Sequence, residues 1–261
     1  MKRTPIPCLP TDLPEAVRSR FANAPVSDSS CSPEARVYFI DAEGGVYLKI
    51  APQGTLRAEA EMTAYFHKKG IAPAVLDYLS DERDLLLTQA ARGEDCTHSL
   101  YLSDPRRLVD LLAKCLRTLH ETDASGCPVP RRMDGYLAIA EKNYRAGMFD
   151  ASLFPEGIGF ASRDEAYAVL SEEKHALKND TLIHGDYCLP NIMLENFRFS
   201  AFIDLGNGGV GDRHVDLFWG AWTLCYNLKT DKYRDRFFDA YGRDRVDAEL
   251  LRTVAAAEVF G

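Results

Sequence analysis

Residues 182–206, which read LIHGDYCLPNIMLENFRFSAFIDLG, constrain this chain more than any other stretch of its 261 residues. Two short apolar runs, Leu182-Ile183 and Ala201-Phe202-Ile203, each deliver an acid at their C-terminal end: Asp186 after His184-Gly185, and Asp204 ahead of Leu205-Gly206. Asn191 stands between them, five residues past Asp186. An amide oxygen and a carboxylate are hard ligands suited to Mg²⁺, and a second carboxylate on a loop is placed to accept a hydroxyl proton. Any one of the three alone reads better as a loop residue capping a helix. All three at this spacing, each beside an apolar strand, describe phosphoryl transfer, in which a protein mainly positions groups and neutralises developing charge.

The same residues resemble the His-Gly-Asp-x4-Asn and Ile-Asp-x-Gly pair of the aminoglycoside phosphotransferases, relatives of the protein kinases. The resemblance implies an α+β, two-lobed protein-kinase-like fold. A small N-terminal antiparallel-sheet lobe, about residues 1–90, would bind the nucleotide, and a larger, mainly helical lobe, 91–261, would carry catalysis and substrate, with a hinge about 89–95. It implies ATP or GTP with Mg²⁺ as cofactors, Asp186 as the group that accepts or orients the hydroxyl proton, and Asn191 and Asp204 as metal ligands. The activity expected is phosphorylation of a hydroxyl, the 3′ one, of a cationic aminoglycoside antibiotic, conferring resistance. A kinase of choline, a sugar or another amine keeps the chemistry and changes the acceptor. A non-catalytic nucleotide-binding module is the rival of another class, and it has no need of a hydroxyl-facing aspartate.

The bulk properties agree with a globular domain or two lobes sharing a cleft. A formal net charge of −8 argues against a nucleic-acid or anionic-membrane partner and favours neutral or cationic small molecules. The seven cysteines are odd in number and scattered, without Cys-x-x-Cys, so they read as reduced thiols rather than a disulfide framework or a zinc site. No signal peptide and no run of about 18 apolar residues is visible, and a cytoplasmic location is expected. Oligomeric state, monomer or dimer, leaves no mark in the sequence.

In chain order, residues 1–10 are proline-rich and read as irregular, and a first helix is expected over Pro14–Ala22. Strands are expected at Arg36–Asp41 and Val46–Ile50 and again at Ala74–Leu79 and Asp84–Ala90, two antiparallel pairs of one small sheet. The small-residue run Ser27–Ser32 before them suits either an ordinary turn or backbone contact with phosphates, the latter involving Ser32. Lys49 is a charge between apolar neighbours of a strand, so it needs either a partner or an exposed face. In the helix expected over Leu56–Lys68, Glu59 shares the apolar stripe of Leu56, Met62 and Phe66, while Glu61 points away. A strand lysine with an inward-facing helix glutamate is the arrangement that holds nucleotide phosphates in kinases. By resemblance, the Gln89 carbonyl and the Ala91 amide would bond the adenine edge, although a plain linker fits Gln89–Gly93 equally.

From Asp104 the pattern turns helical, with Asp104-Pro105 as a start signal and a leucine stripe ending at His120, which reads as a structural histidine. Further helices are expected over Met133–Ala146, Arg163–Leu177, Val215–Leu228, Asp231–Tyr241 and Asp247–Val259. Residues 206–211 formally match Gly-x-Gly-x-x-Gly, but no repeated β-α-β unit accompanies them, so a tight turn is the better reading. Asp216 resembles a family acid that braces the catalytic loop, with a helix-start acid as the alternative. For the substrate, the resemblance singles out Glu258, just before the terminal Phe260, with Asp150 and Glu156 of the loop 147–161 as further acids. The chain departs from the family pattern at Asn207, where arginine is frequent, at Ala257, where a second acid is frequent, and at Ser152, Leu153 and Pro155 in the acid-poor loop.

Overall fold

The structure, a computed structural model, describes residues 3–154 and 159–261. The chain folds into two compact units, Met1–His98 with Pro190–Gly206, and Ser99–Leu189 with Asn207–Gly261. The first unit opens with β1 (Thr4–Ile6), α1 (Glu15–Arg20), β2 (Val26–Asp28), β3 (Arg36–Ile40) and β4 (Val46–Pro52). It continues through α2 (Arg57–Lys68), β5 (Val75–Ser80), β6 (Arg83–Gln89) and β7 (Glu94–Asp95). Six of these strands form one antiparallel sheet in the order β1-β2-β3-β4-β6-β5.

Two strands of that sheet were not expected. Thr4–Ile6 pairs with Val26–Asp28 although the flanking sequence is proline-rich. An edge strand tolerates a residue without an N–H, and β1 is such an edge, so Pro5 does not forbid it. The first residues of the Ser27–Ser32 run therefore belong to β2 rather than to a loop.

Period-2 alternation decides what the sheet offers on each face. Val46, Leu48 and Ile50 of β4 join Ile40, Leu85 and Leu87 in a core closed by Leu13, Val17 and Phe21 from the α1 region. Lys49, between Leu48 and Ile50, must then point to the opposite face. There Leu86, which faces Lys49 across β6, packs with Leu56 and Ala60 at the start of α2.

The second unit begins with α3 (Ser99–Leu102), α4 (Pro105–His120), α5 (Arg132–Arg145), α6 (Arg163–Glu173) and β8 (Thr181–Ile183). The chain then returns to the first unit as the hairpin β9 (Ile192–Glu195) and β10 (Arg198–Phe202), which forms the small sheet β10-β9-β7. It ends in the second unit with β11 (Gly209–Gly211), α7 (Arg213–Leu228), α8 (Arg234–Tyr241) and α9 (Ala248–Glu258). The glycine-rich stretch is thus a 3₁₀ turn over Leu205–Asn207 followed by a strand antiparallel to β8, not a dinucleotide loop.

The start signal at Asp104 is a cap, its side chain accepting a backbone N–H in the first turn of α4, and the Asp212 and Asp247 side chains cap α7 and α9 in the same way. The leucine stripe of α4 is buried as expected, Leu108, Leu112, Leu116 and Leu119 being 0–1% exposed. The helix expected to run to Leu177 stops at Glu173 and gives way to a 3₁₀ turn over Lys174–Ala176. Among the described residues no helix is long and apolar enough to cross a membrane.

Candidate active site

In the first unit a cavity of about 270 Å³ gathers Lys49, Glu59, Ser32, Gln89, Ala91, Asn191 and Asp204, residues spread over more than 170 positions of sequence. Lys49 Nζ lies 2.7 Å from Glu59 Oε2 and 2.9 Å from Asp204 Oδ1. Burial acts against the lysine's charge, but the fields of Asp204 and Glu59 outweigh it and hold the ammonium above its ordinary pKa. Burial pushes the Glu59 carboxyl up, with Lys49 opposing it and Asp204 adding to it. Glu61, by contrast, is spent on a surface pair with Arg57 on the outer side of α2.

Asp204 follows β10 with φ of +58°, in the left-handed region that costs a non-glycine residue energy. The neighbouring Ile203 donates its N–H to the Asn191 carbonyl at 3.0 Å, which ties the two proposed ligand segments together. The Asp204 side chain is half exposed, so Lys49 does not use up its oxygens. An amide and a carboxylate on one cavity wall fit Mg²⁺, which takes one or two protein carboxylates and completes its shell with phosphates and water. The Gln89 side-chain amide donates to the carbonyls of Glu43 and Gly45.

In the second unit the loop after β8 is held from below by Asp216 of α7. Its carboxylate is fully buried and accepts the N–H groups of His184 and Gly185, each at 2.7 Å. His120 Nε2 adds a third contact at 3.1 Å, and Tyr241 Oη lies 2.8 Å from His120 Nδ1. Burial holds the His120 imidazole below its ordinary pKa. Tyr187, 1% exposed, anchors the same loop through its hydroxyl to the Leu112 carbonyl at 2.8 Å. Asp186 is presented from this anchored turn, half-buried.

Gly185 is required there twice over. Its φ is +81°, and a Cβ would sit 1.9 Å from the Asn207 carbonyl oxygen. Gly185→Ala is expected to lower stability by at least about 1–3 kcal/mol, with kcat falling as the loop shifts; urea unfolding beside steady-state kinetics checks both.

Glu258, at the end of α9, accepts from Tyr136 Oη at 2.9 Å and from Trp219 Nε1 at 3.0 Å. Its carboxyl is raised to about 7: burial and, less strongly, the negative charge of Asp186 push it up, while the two donors and Arg132 pull it down. Asp150 is exposed and caps the turn Ala151–Leu153, accepting from Ser152 N and Oγ at 2.8 and 2.6 Å, while its own N–H reaches the Val259 carbonyl at 2.8 Å. Glu156 lies outside the described residues. His120, Tyr136 and Trp219 were not singled out for the site by the sequence; only the end of a leucine stripe marks His120.

The model of the phosphotransferase enzyme family matches residues 33–251. A probable aminoglycoside 3′-phosphotransferase of Lactococcus lactis subsp. lactis is 51% identical over 251 residues, 95% of each chain. The aminoglycoside 3′-phosphotransferase of Niallia circulans is 32% identical over 79% of this chain and 80% of its own. Among solved structures, aminoglycoside-3′-phosphotransferase of type VIII superposes with a TM-score of 0.76 at 23% identity, covering 94% of this chain and 97% of that one. A sheet unit with a lysine-centred cavity and a helical unit presenting an anchored aspartate define a kinase-like phosphotransferase fold. The chain belongs to the phosphotransferase enzyme family, among its aminoglycoside phosphotransferases.

Proposed function

We propose that this protein transfers the γ-phosphoryl group of Mg-ATP to the 3′-hydroxyl of an aminoglycoside, inactivating the antibiotic, and that it does so in the cytoplasm, where ATP is supplied. The observation that carries the chemistry is Lys49 bridging Glu59 and Asp204 inside a cavity that Asn191 also lines. A lysine so held is a fixed point charge for nucleotide phosphates, and Glu59 fixes where it points. Ser32, Gln89 and Ala91 border the same cavity and would meet the rest of the nucleotide. In this reading the sheet unit binds the nucleotide and the helical unit binds the acceptor.

Asn191 and Asp204 would hold Mg²⁺, which supplies charge neutralisation for the phosphates. Asp186 accepts or orients the proton of the attacking hydroxyl, which sharpens its nucleophilicity as the new P–O bond forms. The acceptor class is supported by the relative at 51% identity, named for aminoglycoside 3′-phosphorylation. Glu258 and Asp150 are the acids available to the substrate's ammonium groups among the described residues singled out by sequence.

Glu258 gives the binding step a pH signature. With its carboxyl raised to about 7, it is largely protonated below that value and offers a full charge only above it. Aminoglycoside KM is therefore expected to fall between about pH 6 and 8 more steeply in the wild type than in Glu258→Gln, because an ionised partner is gained across that window. The sign for folding is opposite: a raised folded-state pKa of an acid means that stability is lost as pH rises towards 7, and Glu258→Gln escapes that loss.

The reading is tested by ADP release with Mg-ATP and a panel of kanamycin, a 3′-deoxy aminoglycoside, choline and simple sugars. Turnover with kanamycin and none with the 3′-deoxy compound supports it. Turnover with choline or a sugar alone moves the activity to a metabolite kinase, and nucleotide binding without any turnover makes the chain a binding module.

A further inference from the structure

Arg131 and Arg132 are adjacent in sequence at the start of α5, yet their surroundings differ. Arg131 is exposed and satisfied by Asp134, at 2.6 and 3.2 Å. Arg132 is half-buried and makes no ion pair among the described residues; its one hydrogen bond goes to a neutral acceptor, Asn207 Oδ1, at 2.7 Å. Burial lowers its pKa, with Glu258 and Tyr136 pulling the other way. A guanidinium carries five N–H donors in a planar fork, and a partly desolvated one without a carboxylate is costly unless an anion visits it.

The position of this cation is specific. Asn207, which holds it, packs its backbone against Gly185, the residue before Asp186. Gly209 leaves room for its stem, since a Cβ there would stand 3.0 Å from Arg132 Cβ. Asp186 and Arg132 both act electrostatically on Glu258, so the three charges share one neighbourhood of the helical unit. The charged groups of an aminoglycoside are ammonium groups, which an arginine repels. The one anion that the reaction delivers to the hydroxyl held at Asp186 is the phosphoryl group itself.

We propose that Arg132 is a further catalytic residue, whose guanidinium takes the oxygens of the phosphoryl group as it arrives on the acceptor hydroxyl at Asp186. The O–P bond to the nucleotide breaks as the bond to the acceptor oxygen forms, the nucleotide leaves as the diphosphate, and the acceptor's proton passes to Asp186. Arg132 gives and takes no proton. It contributes two parallel N–H bonds to charge that the group carries through transfer and into product. Asn207 accepts one N–H and so fixes the direction of the fork.

This assignment rests on the phosphotransferase reading, and its test separates the two. Kinetics of wild type, Arg132→Lys and Arg132→Gln with Mg-ATP and kanamycin are expected to show kcat lowered by about 10²–10³-fold in Arg132→Gln and less in Arg132→Lys, with both KM values within about threefold. Calorimetric titration with inorganic phosphate, with Mg-ADP in excess to fill the nucleotide cavity, is expected to show binding to wild type that Arg132→Gln loses. Arg132→Lys keeps a charge at the site and serves if the glutamine variant does not fold. Unchanged kcat with unchanged phosphate binding overturns the proposal. So does a rise in kanamycin KM alone, which would make Arg132 only a partner of Glu258. Loss of phosphate binding in the variant of a wild type that does not turn kanamycin over would support Arg132 and overturn the aminoglycoside reading.

Discussion

Asp186→Asn is expected to lower kcat by about 10²–10⁴-fold while leaving nucleotide KM nearly unchanged. Asparagine keeps the size of the side chain and its place on the loop braced by Asp216, but it cannot accept the hydroxyl proton. The cavity residues Lys49, Glu59, Asn191 and Asp204 keep their own contacts, so nucleotide affinity has no reason to move. Because phosphoryl transfer runs through a loose transition state, much of the proton movement comes late, and the loss is expected towards the lower end of that range. Single-turnover kinetics with rapid quench measure the step directly. Retained kcat would remove Asp186 from the chemistry and leave it a structural acid.

The second large effect is at Asp216. Its carboxylate is 0% exposed and accepts two backbone N–H groups and the His120 imidazole. Asp216→Ala removes the carboxylate that accepts all three of these bonds and strands their buried donors, at a cost of about 3–5 kcal/mol. His120 would lose its carboxylate partner while keeping Tyr241, and the Gly185 turn would lose its anchor. Unfolding by urea should show the stability loss, and kcat should fall although Asp216 meets no substrate. Full stability in the alanine variant would mean that the turn is held by Tyr187 and the Gly185–Asn207 packing alone.

Some of this was legible in the sequence because periodicity carries it. A lysine flanked by buried apolar residues in a strand must face away from them, and a glutamate on the apolar stripe of a helix must face inward. Those two rules place Lys49 and Glu59 on facing surfaces, and they lie 2.7 Å apart. The start signal at Asp104 is a local hydrogen bond, readable for the same reason, whereas the Asp212 cap was missed and the helix after it was expected two residues late. What the sequence did not reveal depends on residues far apart in the chain. His120 and Asp216 are 96 positions apart and Tyr136 and Glu258 are 122 apart, and neither pair leaves a repeating trace. The β1 strand was hidden by Pro5, whose missing N–H matters only in a strand bonded on both sides. Asp150 looked like a substrate acid by type, yet part of its carboxylate is committed to capping a turn, which composition cannot reveal.

A 3′-phosphotransferase is defined by where the transferred phosphate ends. The most direct test is correlated ³¹P–¹H NMR of the product formed by the purified protein from kanamycin and Mg-ATP. A single phosphomonoester coupled to the 3′ proton of the sugar is expected. A phosphate on another hydroxyl would contradict the regiochemistry, and unmodified kanamycin beside unconsumed ATP would contradict the aminoglycoside reading itself.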